Sequence, residues 1–488
     1  MKNLKRRDFI KTTVTASMGA SFIVPGLAQA NKSYQAQPEK ASPVLQQKKK
    51  IIVAGAGIGG LCCGYELMRR GYEVIILEAS PRHGGHIFTV HDGLSDGLYA
   101  DFGAEHITKP GYERYWEYTR EFNLTVLPYP RRINVLRRID GKFYTEEMLA
   151  DPSILKQFGF NAREVKFLSE NPWWDLQSLY VRPYHDKFKD EYQPFGVGYD
   201  HLDKVPMSDI YKKDGASASA MERLGGKNSS ALFELWRTSI LTLRGVPLAP
   251  PNVFRLKGGN QELPNAFAKR LGDRVKLGCP ITSITHSPTG VTVSYKEFGE
   301  EKKMSADFLA NCIPLPAFKT IPITPALPPA KQFVVDNVVY DSYSRFVFQA
   351  RSKFWLDDNL SINMDLGHPD ISSIWQVADE VDTHRVALQG TGPGGVSAQR
   401  ALAAFREVYP GKHDTIEQAL VRDWTKEEFA FTCERLNFPM GQLSKFWPHV
   451  MTPHGRIHFA GAYADNLNWG MEAATRSANR VAKEIEQA

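Results

Sequence analysis

The sequence predicts an α/β protein with a parallel sheet, and three observations between Ile51 and Glu78 carry that prediction. A short β-branched apolar run, Ile51 to Ala54, has the length of a buried strand. Glycines follow at Gly55, Gly57 and Gly60, and behind them Leu61, Tyr65, Leu67 and Met68 recur at helical spacing until Gly71 breaks the pattern. Val74 to Leu77 then repeat the apolar run and end on Glu78. Strand, helix and strand form one βαβ unit of Rossmann-like type.

Each part of that unit has a physical task. Gly55 permits the tight turn, Gly57 lets the backbone approach a pyrophosphate, and Gly60 allows close packing of helix on strand. The free N–H groups of the helix start then face the phosphates. Glu78, about 20 residues on, is placed to accept hydrogen bonds from a ribose 2′-hydroxyl, which fits an adenosine lacking a 2′-phosphate. Beyond it, Arg82 and the Gly84-Gly85 turn suit a second pass along a long dinucleotide, for which FAD is the natural ligand.

A chain of 488 residues with 42% hydrophobic content has room for two or three domains of an ordinary soluble protein. Its first 30 residues read differently. Lys5-Arg6-Arg7-Asp8-Phe9-Ile10-Lys11 carries the paired arginines of a twin-arginine signal, a weakly apolar stretch follows, and Ala28-Gln29-Ala30 supplies a cleavage site. Export by the twin-arginine (Tat) translocase to the periplasm is therefore expected. That route carries folded proteins, often with cofactor in place, so signal and nucleotide site agree. Loss of the signal removes a net four positive charges and takes the formal net charge from +6 to about +2. Such a balance gives no reason to expect nucleic acid. Residues 31–48 are polar and aperiodic, the composition of a flexible leader. No later segment approaches 18 uninterrupted apolar residues, so no membrane span is expected. Five cysteines do not make a disulfide framework in a chain of this length. Cys62, Cys63, Cys279 and Cys312 read as small core residues, and no metal is expected.

After Glu78 come Ala79, Arg82, Gly84, Gly85, His86 and Thr89, and then the segment Asp101-Phe102-Gly103-Ala104. Here the sequence resembles the flavin-containing amine oxidase family, the monoamine, polyamine and L-amino acid oxidases, with their pattern E-A-x-x-R-x-G-G-R-x-x-T. His86 stands where the family has arginine near the pyrophosphate and flavin, which predicts a weaker, pH-dependent contact. Ala104 falls in the family's turn under the flavin.

The resemblance implies a Rossmann-like FAD-binding domain of segments 49–110, 252–318 and 425–488, and an α+β substrate domain of 111–251 and 319–424. In the latter, helices are expected at Ser217 to Leu224 and Ser230 to Arg244, and the aromatics Tyr112, Tyr115, Trp116, Trp173 and Trp174 read mainly as core. Leu256 to Asn260 leads back through a helix, Leu263 to Leu271, into strands at Val275–Leu277, Ile281–Thr285, Val291–Tyr295 and Phe308–Ile313.

Arg345, followed by Phe354-Trp355, matches the family's lysine ahead of an F-W pair. That lysine holds a water at flavin N5; arginine keeps the charge but presents a planar fork. Arg456 to Gly461 resembles the strand and turn before the family's last helix, whose start at Gly470, Met471 and Glu472 would point at the flavin. Ala462 replaces the usual Glu or Thr, so one flavin contact is missing.

Trp424 and Cys433 are nine residues apart, the spacing of monoamine oxidases in which the cysteine is bonded to the flavin 8α-carbon. Two readings are open: a cysteinyl FAD on Cys433, or a buried free thiol. Glu434 occupies a position of the family's aromatic cage, the other wall of which falls near Trp469 or Gly470. Glu434 either contacts a cationic part of the substrate or is a structural acid.

The resemblance implies oxidation of a C–N bond of an amine or amino acid by hydride transfer to flavin N5, with O2 or a periplasmic carrier as acceptor. Arg345, Glu434 and Trp469 are the catalytic candidates. Carotene desaturases and protoporphyrinogen oxidases share the terminal motifs, so a desaturase or dehydrogenase acting on a carbon skeleton is the alternative, and a non-catalytic flavoprotein a third.

Overall fold

Five parallel strands form the central sheet in this computed structural model, which describes residues 48–430, 433–466 and 469–488. They are β1 (Lys50–Ala54), β2 (Glu73–Leu77), β3 (Val275–Lys276), β4 (Phe308–Asn311) and β5 (Ile457–Phe459), in the order β3-β2-β1-β4-β5. Every pairing is parallel. The sheet draws on three separate stretches of the chain, and Ile51, Ile52, Val53 and Ala54 at its centre are fully buried. A strand covered on both faces needs an unbroken apolar run, which is what β1 supplies.

Two helices, α1 (Ile58–Arg69) and α3 (Gly470–Gln487), start beside the glycine turn, and α2 (Glu113–Glu121) is joined to α3. α1 crosses from β1 to β2 and buries Leu61, Cys62, Cys63 and Leu67 completely. Its outer side packs on α3, where the Cys62 Sγ lies 3.8 Å from the Thr475 carbonyl oxygen.

The expected helices are present as Ala218–Leu224, Ala231–Leu243 and Glu262–Leu271. Two start one residue late because Ser217 and Ser230 are N-caps, accepting the Ala220 and Phe233 N–H groups at 3.1 and 3.2 Å. Tyr112 and Tyr115 are buried, in keeping with a core role. Strands Ile281–Ser287 and Gly290–Glu297 are found, but Glu300–Ala306 pairs unforeseen with Gly290–Glu297. Its sequence, EEKKMSA, carries charges on both faces and hides the alternation.

A second sheet has seven strands in the spatial order Ile416–Asp423, Tyr343–Ala350, Val386–Pro393, Ile371–Val377, Met364–His368, Leu136–Ile139 and Lys142–Tyr144. Tyr343–Ala350 lies between two antiparallel partners and is buried from Ser344 onward, which carries Arg345 into the interior.

Among the described residues no helix is long and apolar enough to cross a membrane. The expected signal over residues 1–30 and the leader up to residue 47 lie outside the described residues.

Candidate cofactor and active site

The glycine turn is as tight at Gly55 and as closely packed at Gly60 as its spacing predicts. Gly55 has φ +95° and its N–H donates to the Leu77 carbonyl at 2.7 Å, fastening the turn to β2. A Cβ on Gly60 would lie 1.9 Å from the Gly55 carbonyl oxygen, so this glycine is a packing requirement. A Cβ on Gly57 would meet nothing closer than the Gly85 Cα at 3.9 Å. The turn therefore leaves an open cradle at Gly57 and a closed contact at Gly60.

Glu78 closes the unit from the other side. Its Oε2 accepts the Ala56 N–H at 2.5 Å and its Oε1 the Ser80 N–H at 2.8 Å. Burial raises its pKa above the ordinary carboxylate value, against the pull of those two hydrogen bonds.

Beside these groups lies a cavity of about 740 Å³. Of the cofactor residues expected from sequence, Gly55, Gly57, Glu78, Arg82, Gly84, Gly85, His86, Ala104, Gly461, Ala462, Gly470 and Met471 all line it. Gly60 does not reach the wall and acts through Gly55. Cys433 lies on a short strand, Cys433–Asn437, whose side chains fall outside the described residues, as does the side chain of Glu434. Both α1 and α3 begin at the cavity, and neither has a side chain capping its N-terminus. Two uncapped helix starts and a glycine cradle fit a long anionic dinucleotide. FAD would be held by the Gly55–Gly60 turn, Glu78 and the start of α3.

Arg82 is partly committed to the protein itself. Its guanidinium donates to the Gly85 and Ile87 carbonyls at 2.6 and 3.2 Å, bracing the Gly-Gly turn. His86 departs from its expectation. Burial, then the nearby Arg345 and Arg82, lower its pKa to about 3, so the ring is neutral above that pH. The predicted pH-dependent contact thus falls outside the neutral range. The ring instead packs 4.2 Å from Trp424 and lies 3.3 Å from the Tyr343 hydroxyl.

Arg345 is not on the cavity wall but behind it. Its Nη2 donates to the Gly103 carbonyl at 3.3 Å, next to Ala104, and its Nη1 lies 3.6 Å from Glu105 Oε1. Glu105 is also ion-paired with Arg131 and accepts from Tyr129 and Gln389 at 3.1 and 2.9 Å. Arg131 stacks 3.8 Å above Trp375. His106, alongside, is pushed down to about 3 by burial, Arg132 and Arg345. Two guanidinium groups therefore share one carboxylate with no second charge on the imidazole. Burial, then Arg345 and Arg132, disfavour the charge on Arg131. Sequence reasoning missed Arg131, because adjacent arginines in a loop carry no periodic signal. It did pass over Glu105 and His106, directly after Ala104.

Trp469 is also off the wall. It stacks on Tyr112 at 5.5 Å and 19°, and a Cβ on Gly111 would lie 2.0 Å from its ring. Its place is at the joint between α2 and α3, beside the residue that opens α3.

Parallel sheet, uncapped helix starts and glycine-lined cavity define an FAD-binding oxidoreductase. The chain belongs to the family of flavin containing amine oxidoreductases, whose model matches residues 58–486, and it is an enzyme with FAD as cofactor. Among similar proteins, the L-amino-acid oxidase of Demansia vestigiata is 23% identical over 475 residues, covering 90% of this chain and 87% of the relative. That of Vipera ammodytes ammodytes is 23% identical over 468 residues, covering 90% and 93%. Cyclohexylamine oxidase from Brevibacterium oxydans has a similar fold, with TM-score 0.72 at 20% identity over 90% of this chain and all of that one. Putrescine oxidase bound to putrescine superposes with TM-score 0.73 at 17% identity, covering 90% and 99%.

Proposed function

We propose that this enzyme oxidises the C–N bond of an amino acid, and that the arginine pair Arg131 and Arg345 attracts the substrate carboxylate. The observation that carries the reading is the uneven charge behind Ala104: two buried guanidinium groups on the single carboxylate of Glu105. A cationic amine would be repelled there, whereas a carboxylate supplies the missing anion. The L-amino-acid oxidases among its relatives support the same substrate class. When bound, FAD supplies the hydride acceptor at flavin N5 for the hydrogen on the carbon bearing nitrogen, and water hydrolyses the resulting imine. The chain's own contribution is position and dryness. Trp375 fixes Arg131 by stacking, and the Arg345 bond to Gly103 fixes the turn that carries Ala104 into the cavity wall.

An anaerobic screen of amines and amino acids, read by flavin bleaching, tests the proposal. Bleaching by amino acids with release of ammonia is expected, and Arg131→Met raises the KM for an amino acid far more than for an uncharged amine. Bleaching without ammonia would instead mark a carbon-skeleton dehydrogenase, and no bleaching a non-catalytic flavoprotein. Recovery of the colour in air identifies O2 as acceptor; persistence identifies a carrier. Acid precipitation reports on Cys433: flavin in the pellet means an 8α thioether, flavin in the supernatant a free thiol. The proposal also includes export to the periplasm by the Tat translocase, supported by Arg6-Arg7 and Ala28-Gln29-Ala30. Retention of an Arg6→Lys, Arg7→Lys variant in the cytoplasm is the expected result.

A further inference from the structure

Among the described residues, Arg82 and Arg422 are the arginines that line the cofactor cavity. Arg82 is taken up by the Gly85 and Ile87 carbonyls, and His86, where a cation was expected, is neutral above about pH 3. Arg422 reaches the cavity from a distant stretch of chain. It lies on the strand Ile416–Asp423, directly across from Arg345 on Tyr343–Ala350. Its guanidinium carbon stands 4.6 Å from the centre of the Phe88 ring and 5.3 Å from that of Trp424, and its Nη2 is ion-paired with Glu427 Oε2 at 2.5 Å. Three contacts therefore fix the group ahead of any ligand. Arg82 approaches the same Phe88 ring, at 4.5 Å. Arg82 in turn holds the Gly-Gly turn, where Gly84 bridges to Gly57 and donates its N–H to the Ala56 carbonyl at 2.8 Å. Phe88 thus links Arg422 to the turn that lies against the Gly57 cradle.

We propose that Arg422 binds the diphosphate of FAD, with Glu427 holding its guanidinium in place. The diphosphate carries the anionic charge of the oxidised cofactor, and a guanidinium keeps its own charge at every working pH and matches phosphate oxygens in geometry. Arg422 takes over, from another part of the chain, the task that His86 leaves undone. Glu427 has two effects of opposite sign: it orients the arginine, and its charge repels the diphosphate. This separates a binding cation from a purely structural ion pair. An ion pair that only braced the segment after Trp424 would be broken alike by loss of either partner, whereas a binding cation and its counter-charge act on an anionic ligand in opposite directions. The assignment holds whether the substrate is an amino acid or an uncharged amine, because it concerns the cofactor alone.

The test is a calorimetric titration of the full-length chain, freed of FAD, with FAD and with ADP, which carries adenosine and a diphosphate but no flavin. A Cys433→Ala background keeps the flavin exchangeable whichever state that cysteine adopts. Arg422→Met is expected to weaken ADP and FAD alike, by about tenfold or more. Glu427→Gln, which can still accept a hydrogen bond from Arg422, is expected to strengthen both by about two- to fivefold. Arg422→Lys, which keeps the charge, should lose less than Arg422→Met. The proposal is overturned if Arg422→Met leaves ADP binding unchanged, and loss of FAD binding alone would then place the arginine at the flavin. It is equally overturned if the Arg422 and Glu427 variants weaken ADP together. Should Arg422→Met fail to fold, Arg422→Lys and Glu427→Gln decide the matter by the same opposition of sign.

Discussion

Glu472 Oε2, in the first turn of α3, accepts the backbone N–H of Tyr115 at 2.9 Å, while its Oε1 accepts that of Arg114 at 3.1 Å. One helix thus caps the start of another, a link between α2 and α3 formed beside the cavity. Burial raises the carboxyl pKa to about 7, against the pull of the two N–H groups. The unfolded chain gives up this proton near 4.5, so between that pH and about 7 the folded protein binds more protons than the unfolded one. Stability from this group is therefore fully present at low pH and declines as pH rises through the window, by about 3 kcal/mol at most. Urea midpoints should be higher at pH 5 than at pH 8, and Glu472→Gln should flatten the difference. An unchanged slope in the variant would assign the pH dependence elsewhere.

Two glycines separate folding from cofactor binding. Gly60→Ala places a Cβ 1.9 Å from the Gly55 carbonyl oxygen, a contact that only backbone movement relieves. We expect loss of several kcal/mol and poor recovery of soluble protein, on the order of 2 to 4 kcal/mol for such overpacking. Gly57→Ala meets no protein atom closer than 3.9 Å, yet its methyl enters the cradle. The outcome there is a folded chain with normal circular dichroism and a much weakened affinity for FAD. Equal behaviour of the two variants would contradict the division of labour between them.

Glu78→Gln tests the acid at the end of β2. The carboxylate serves two backbone donors, Ala56 N–H and Ser80 N–H, whereas an amide turns its NH2 towards one of them. A buried donor left unpaired costs about 1 to 3 kcal/mol, so FAD affinity should fall by about tenfold to a hundredfold. Fluorescence quenching of FAD on titration with apoprotein measures it directly.

The nucleotide site was legible in the sequence because it is local. Gly55, Gly57, Gly60 and Glu78 act at fixed spacings within one βαβ unit, and the structure finds them in that relation. His86 was legible as a position but not as a charge state, since its neutrality comes from burial and from Arg345, 259 residues further along the chain. Glu300–Ala306 was missed because a strand with charges on both faces has no period-two pattern. Arg131 was missed for a different reason. Its meaning depends on Glu105 and Arg345, which approach it only when the Tyr343–Ala350 strand enters the interior, and no spacing along the chain encodes that meeting.

Arg345 supplies the sharpest test of the charge arrangement. It is buried, reaches the Gly103 carbonyl and Glu105, and packs near the rings of Tyr343 and Trp375, 5.2 and 5.5 Å from their centres. Arg345→Lys keeps the charge but replaces the fork by a single ammonium, which cannot serve carbonyl and carboxylate in the same geometry. A loss of about tenfold in kcat/KM, equivalent to about 1.4 kcal/mol, is expected. Arg345→Leu removes the surplus positive charge and leaves Glu105 balanced by Arg131 alone, so the KM for an amino acid should rise further. It also takes away a cation that depresses His86, whose pKa should move up from about 3. Because Arg345 stands behind the cavity wall, both variants should retain the normal ratio of flavin to protein absorbance. A collapse of that ratio with kcat/KM per bound flavin unchanged would make Arg345 a cofactor-retaining residue and remove it from substrate binding.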